Sequence, residues 1–290
     1  PGFGEKKAAK ILEGIAFRSE HASEFRQDQV LPVVETVLAA LRGHSAVSRA
    51  EICGSYRRGK ETVHDLDFLV ATKQPDEVIA AFTKLPLVES VIARGGTKAS
   101  IRTAHGLQCD LRAVSGKEFP FALNYFTGSK EHNVALRQRA LSMGGSLNEY
   151  ALSHEEGRKS KPIPPVHDEP DLYRALALDW PEPELRENTG EIEAAGEGRL
   201  PHLLTLENLR RLFHNHTTAS DGKATLEEMA AAAQELGLQY LGIADHSKSS
   251  FQANGLDARR LKQQIKAIHE LNQSFDDGFR VFAGSEVDIL

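Results

Sequence analysis

Two aspartates separated by one residue, in Asp65-Leu66-Asp67-Phe68-Leu69-Val70, are the strongest chemical signal in the chain. Residues i and i+2 of a strand share a face, so the pair presents two carboxylates side by side. Like charges that close repel unless a cation neutralises them, the pattern of a divalent-metal site. Upstream lies Ile52-Cys53-Gly54-Ser55-Tyr56-Arg57-Arg58-Gly59. Its Gly-Ser turn lets a triphosphate approach backbone N–H groups, with Arg57 or Arg58 supplying charge. A pair of metals needs a third carboxylate, and Asp110 in Leu107-Gln108-Cys109-Asp110-Leu111-Arg112 sits in a strand of suitable apolar context. Buried apolar neighbours flank these acids, which argues against a plain solvated strand edge.

Two further clusters carry chemistry. Gly2-Phe3-Gly4-Glu5-Lys6-Lys7 precedes a helix, and glycines there leave backbone N–H groups free for a phosphate that Lys6 and Lys7 reinforce. Far downstream come Phe213-His214-Asn215-His216-Thr217, then Ser220-Asp221-Gly222, Ala244-Asp245-His246-Ser247 and Gly284-Ser285-Glu286-Val287-Asp288. His214 and His216 alternate on one expected strand face, and imidazole with carboxylate suits Mn²⁺, Zn²⁺ or Fe²⁺. Each cluster falls at the C-terminal end of an expected strand, where α/β folds gather their ligands.

The elements that must position these residues follow from periodicity. Apolar positions from Phe25 to Leu41 read as one long helix within 19–45, with Pro32 expected to kink or split it. Strands are expected near 49–53, 66–71, 88–93, 98–104 and 107–114, with a helix from Pro75 to about Lys84; this is an α+β pattern. Residues 118–150 read as two short helices and a strand pair. Following the Pro-rich runs Lys161-Pro162-Ile163-Pro164-Pro165 and Trp180-Pro181-Glu182-Pro183-Glu184, the polar, Glu- and Gly-bearing stretch 184–203 reads as an interdomain linker. Beyond it, helices at 225–236 and 257–274 alternate with strands at 239–243 and 280–283, the arithmetic of βα units.

Composition narrows the class. At 290 residues the chain suits about two domains. It has no apolar run of membrane-spanning length and no hydrophobic leader, so the expected location is cytoplasmic. Two cysteines, Cys53 and Cys109, make neither a disulfide framework nor a thiolate zinc cluster. The net charge of −6 is uneven: residues 1–150 hold 20 Lys+Arg against 17 Asp+Glu, and residues 151–290 hold 15 against 24. A basic first half that nevertheless contains clustered acids suits a polyanionic partner.

Taken together, GSYRRG followed by DLD resembles the nucleotidyltransferase signature. Asn124-Tyr125-Phe126-Thr127-Gly128-Ser129, Asn133, Arg137 and Asn148-Glu149-Tyr150 narrow the resemblance to family X DNA polymerases. The histidine clusters resemble the PHP (polymerase and histidinol phosphatase) domain, and the two together resemble the bacterial family X polymerase/3′–5′ exonucleases. The resemblance implies a polymerase beta-like palm over 19–117, a nucleotide-selection subdomain over 118–183 and a partial α/β PHP barrel over 204–290. Residues 1–18 would end a helix–hairpin–helix module gripping DNA through Gly2, Gly4, Lys6 and Lys7.

By the same resemblance, Asp65, Asp67 and Asp110 would bind Mg²⁺ or Mn²⁺ for deoxynucleotide addition. Gly54, Ser55, Arg57, Arg58, Tyr125, Phe126, Gly128 and Asn133 would bind the deoxynucleoside triphosphate, with Arg137 on gapped or primer–template DNA. Tyr125 and Phe126 would face the sugar. His214, His216, Asp221, His246 and Glu286 would bind Mn²⁺ or Zn²⁺, supported by Asp245 and Asp288. Two departures stand out: His64 precedes Asp65 where the family usually has glycine, and Arg211-Leu212-Phe213 replaces Gly-Asp-Leu. The expected species is a monomeric fragment, with an incomplete barrel and hence no exonuclease activity. Alternatives at this stage are an RNA or small-molecule nucleotidyltransferase, a PHP phosphoesterase whose other half only binds DNA, and a structural DNA-binding protein.

Overall fold

The computed structural model describes residues 24–154, 163–276 and 278–288. Gly2, Gly4, Lys6 and Lys7 lie outside the described residues. The chain divides into two compact units, Pro1–Pro201 and His202–Leu290.

The first unit opens with β1 (Phe25–Arg26) and α1 (Gln27–Arg42). Val30, Val34, Val37 and Leu41 form the buried stripe of α1. Pro32 lies on the exposed side of this helix. Proline there removes the N–H that would bond to the Asp28 carbonyl, and the helix nonetheless runs unbroken from Gln27 to Arg42. Next come β2 (Val47–Ile52), the short α2 (Gly54–Arg57), β3 (Thr62–Val63), β4 (Asp65–Thr72) and α3 (Pro75–Phe82). They are followed by β5 (Val88–Arg94), β6 (Lys98–Thr103) and β7 (Gln108–Val114), and the expected strands match to within two residues at each end.

These strands build a five-stranded sheet in the order β2-β4-β7-β6-β5. All its neighbours pair antiparallel except β4 and β7, which run parallel with Asp67 opposite Asp110. Alternation then sorts the side chains. Leu66, Phe68 and Val70 of β4, with Cys109 and Leu111 of β7, pack under α1 and α3. On the opposite face Leu69, Ala71 and Val114 are covered by α4 (Phe119–Thr127). Asp65, Asp67 and Asp110 continue that second face beyond the end that α4 covers, so the same periodicity that buries the strand presents its acids to a cleft.

The rest of the unit comprises α5 (Lys130–Ser142), the hairpin β8 (Gly145–Leu147) and β9 (Leu152–His154), α6 (Glu169–Ala175) and α7 (Glu191–Gly196). The expected linker at 184–203 needs correction here. Ile192 and Ala195 pack with Leu136, Leu172 and Tyr173 in one core, and Arg186 is fully buried. Arg186 pairs with Glu169 and Glu191 with His132 in the interior, whereas Glu184, Glu193, Glu197 and Arg199 stay exposed; composition alone does not separate the two sets.

The second unit holds β10 (Arg211–Asn215), α8 (Leu226–Glu235), β11 (Tyr240–Ile243), α9 (Ala258–Asn272) and β12 (Arg280–Ala283). The strands form a parallel sheet in the order β10-β11-β12. Leu241, Ile243 and Val281 pack against Leu226, Ala230, Ala233 and Ile268 of the two helices. Among the described residues no helix is long and apolar enough to cross a membrane.

Candidate active site and metal centre

In the first unit, a turn of backbone sits directly on the acidic strand. Cys53 N–H donates to the Asp67 carbonyl (2.7 Å), and Gly54 follows at φ +63°. A Cβ at Gly54 would stand 2.5 Å from Asp67 Oδ2, so only glycine allows this approach. Beside the turn opens a cleft of ≈ 360 Å³, within the size range of small-ligand sites. Gly54, Ser55 and Arg58 line one part of it and Asp65 and Asp67 another. Tyr125, Phe126, Gly128, Asn133 and Arg137 complete the expected set, joined by Thr127 and Lys130, which the sequence did not single out.

Asp110 lines a small adjoining cavity together with Asp67, Lys98, Arg112 and Phe126. Its oxygens are engaged, Oδ1 by Gln108 Nε2 (3.0 Å) and Oδ2 by Lys98 Nζ (3.3 Å). Among the described residues, groups of ligand atoms all within 4.8 Å of one another occur in the second unit and not at this triad. Even so the acids feel each other. Burial first, then Asp65 and Asp110, push the Asp67 carboxyl up from 3.8 to about 7. Burial and Asp110 raise Asp65 as well. Carboxyls that resist ionisation on one strand face are the donor set a divalent cation would neutralise, and the residues fit that group.

Arg57 does not join the cleft. Its guanidinium donates to Thr127 Oγ1 and Glu169 Oε2, both at 2.6 Å, and Arg186 holds the other oxygen of Glu169 at 2.6 Å. Burial alone would raise the Glu169 carboxyl, but the charge of Arg186, with Arg57, holds it below its usual value. The assignment of Arg57 to the triphosphate is therefore corrected to a half-buried strut between α2, α4 and α6. Arg58 does line the cleft, with Nε on Glu187 (2.8 Å) and one terminal nitrogen on the Thr127 carbonyl (2.6 Å). His64 is exposed and lies 3.6 Å from Glu24, an ion-pair distance. Arg112, also not foreseen, lies over the Phe126 ring at 5.1 Å and steadies it.

The second unit gathers its five expected ligands. Glu286 Oε2 lies 2.9 Å from His214 Nε2, 3.1 Å from His216 Nε2 and 3.4 Å from His246 Nδ1. Asp221 reaches His216 Nδ1 at 3.0 Å and His246 Nε2 at 3.5 Å. The hydrogen bond from His216 holds the Asp221 carboxyl below its usual value, and the one from His214 does so for Glu286. The strand alternation expected for His214 and His216 is broken, because His214 takes φ +65° at a register shift between Leu212 and Asn215. The two rings stack nonetheless, with centroids 5.4 Å apart. His246 Nδ1 is buried without a hydrogen-bond partner. A mixed imidazole–carboxylate set with a spare nitrogen fits a transition metal.

Asp245 is fully buried beneath this cluster. It accepts from Thr217 N–H (2.8 Å), Thr217 Oγ1 (2.7 Å), Ser220 Oγ and Gln264 Nε2, and so ties down the turn that carries His216 and Asp221. Asp288 accepts from Ser250 Oγ at 2.9 Å. Gln264 of α9 was not foreseen.

Comparison with known proteins gives the same division. Residues 26–113 match the DNA polymerase beta palm, 122–187 the DNA polymerase beta thumb and 213–290 the PHP domain. The chain is similar to DNA polymerase/3′–5′ exonuclease PolX of Bacillus subtilis (strain 168), 37% identical over 291 residues, which cover 100% of this chain and 50% of that protein. It is also similar to DNA polymerase lambda of Rattus norvegicus, 31% identical over 162 residues, covering 47% of this chain and 28% of that protein. The chain thus spans about half the length of the Bacillus relative.

Proposed function

Because the chain carries, in order, the palm, thumb and PHP domain of a bacterial family X polymerase/PHP protein, we propose that its first unit adds deoxynucleotides to a primer 3′-OH. The observation that carries this reading is the shared strand face of Asp65, Asp67 and Asp110 beside the Gly54-Ser55 turn. Divalent cations held by those aspartates, Mg²⁺ or Mn²⁺, would supply electrostatic stabilisation to the transferring phosphoryl group.

The chain's own residues do the rest. Backbone N–H groups of the turn and the Arg58 guanidinium bind triphosphate oxygens. Asp110 draws the proton from the primer 3′-OH as that oxygen attacks the α-phosphorus and pyrophosphate leaves. Tyr125 and Phe126 close the sugar side of the cleft, and Asn133 and Arg137 face the base and the DNA. The substrate would be gapped DNA, and the task short-gap filling in base excision repair. For the second unit, His214, His216, Asp221, His246 and Glu286 would hold Mn²⁺ or Zn²⁺.

Primer extension on gapped DNA with Mg²⁺ and with Mn²⁺ tests the first part. Wild type should extend, and Asp110→Ala should lose extension while retaining DNA affinity. Undiminished extension by that variant removes Asp110 from the chemistry.

A further inference from the structure

His132 follows the turn into α5 and precedes Asn133, while Asn124 precedes Tyr125 at the end of α4; Asn133 and Tyr125 both line the nucleotide cleft. The two preceding residues are joined through the interior. His132 is fully buried, with Nδ1 2.6 Å from Glu191 Oε1 and Nε2 2.7 Å from the Tyr173 hydroxyl. Tyr173, also fully buried, donates to Asn124 Oδ1 at 2.7 Å. Glu191 is itself fixed, accepting from the backbone N–H groups of Asn188 (2.9 Å) and Thr189 (2.7 Å) at the start of α7. Glu191 lies between the thumb match, which ends at 187, and the PHP match, which begins at 213.

We propose that the buried relay Glu191–His132–Tyr173–Asn124 positions the two sides of the nucleotide cleft, so that the segment after the thumb match acts in nucleotide binding. The inference rests on the polymerase reading of that cleft. Its physical basis is directional. An apolar cluster of the same volume would fill this interior at least as stably, whereas hydrogen bonds of 2.6–2.7 Å fix α4 against α5 at one separation. The Tyr173 hydroxyl gives its one proton to Asn124 Oδ1 and the Glu191 carboxylate carries none, so both ring nitrogens donate, Nδ1–H to Glu191 and Nε2–H to the Tyr173 oxygen. Burial opposes that doubly protonated ring, while the Glu191 charge supports it. Arg186 and Glu169 are the other charged groups facing the ring, and they neutralise each other at 2.6 Å. Each member therefore acts through its neighbour, and Tyr125 and Asn133 are displaced when a link is cut.

Tyr173→Phe removes one hydroxyl and keeps the ring; Glu191→Ala cuts the other end, and Glu191→Gln keeps an acceptor. On gapped DNA, the first two should raise the nucleotide KM roughly tenfold with kcat within about threefold of wild type, and Glu191→Gln should recover part of the loss. Thermal unfolding identifies any variant that fails to fold. Folded Tyr173→Phe with a wild-type KM, or with kcat falling at constant KM, overturns the relay. Failure of wild type itself to extend overturns the polymerase reading instead. Amide resonances separate the two without any activity: those of Tyr125 and Asn133 should move in nucleotide-free Tyr173→Phe, and unmoved resonances overturn the relay in either case.

Discussion

Asp67 stands between Asp65 on its own strand and Asp110 on the next, and folding buries its carboxyl among them. Its value rises from 3.8 to about 7, so between those limits the folded chain holds a proton that the unfolded chain has released. Stability must then fall as pH rises from about 4 to about 7 and level off above, the reverse of a salt-bridged aspartate. Urea midpoints measured in chelator across that window should show the decline, and Mg²⁺ should restore more stability at pH 8 than at pH 5. A flat profile would mean that neither burial nor the neighbouring acids raise the Asp67 carboxyl. At the sugar side, Tyr125→Ala should open space for a 2′-hydroxyl and raise ribonucleotide incorporation several-fold relative to deoxynucleotide. Equal discrimination by variant and wild type would place the gate elsewhere.

At the scale of elements, the Gly54 turn and β4 are one mechanical piece. Gly54→Ala must find room for a methyl group 2.5 Å from Asp67 Oδ2 at φ +63°, and should cost about 1–3 kcal/mol of stability. It should also weaken metal binding, read by Mn²⁺ titration; unchanged affinity would show that Asp67 moves freely. This part of the site was legible in the sequence because a half-buried strand writes its faces with period two, and Asp65, Asp67 and Asp110 each interrupt an apolar run. Arg57 and Arg58 were not separable, since adjacent residues on one turn point in different directions and the partner of Arg57, Glu169, lies 112 positions away. His132 gave no signal for the same reason, its partners being 59 and 41 positions off. The segment around Arg186 and Glu191 misled because polarity was read as exposure. His214 departed from strand alternation because a backbone register shift leaves no mark in composition.

At the scale of the whole molecule, the boundary lies after Pro201. A chain ending there should unfold cooperatively, whereas one ending at Pro183 loses Arg186, Ile192 and Ala195 and leaves Glu169 with half its pairing. Breaking such a buried pair costs about 3–5 kcal/mol, so the shorter chain should melt well below the longer one by calorimetry. Equal melting would return the segment to the status of a linker. The position of Glu191 also has a temporal side. A polypeptide emerges from the ribosome N-terminus first, at roughly 5–20 residues per second. Strands β4 and β7, which carry the three aspartates, can pair as soon as Val114 is free, but the relay behind Tyr125 and Asn133 waits for residue 191. During synthesis there is thus an interval, on the order of seconds, in which the acidic face exists and the cleft beside it is not yet braced. On the proposed function, a nascent chain would acquire its affinity for cations before its grip on nucleotides.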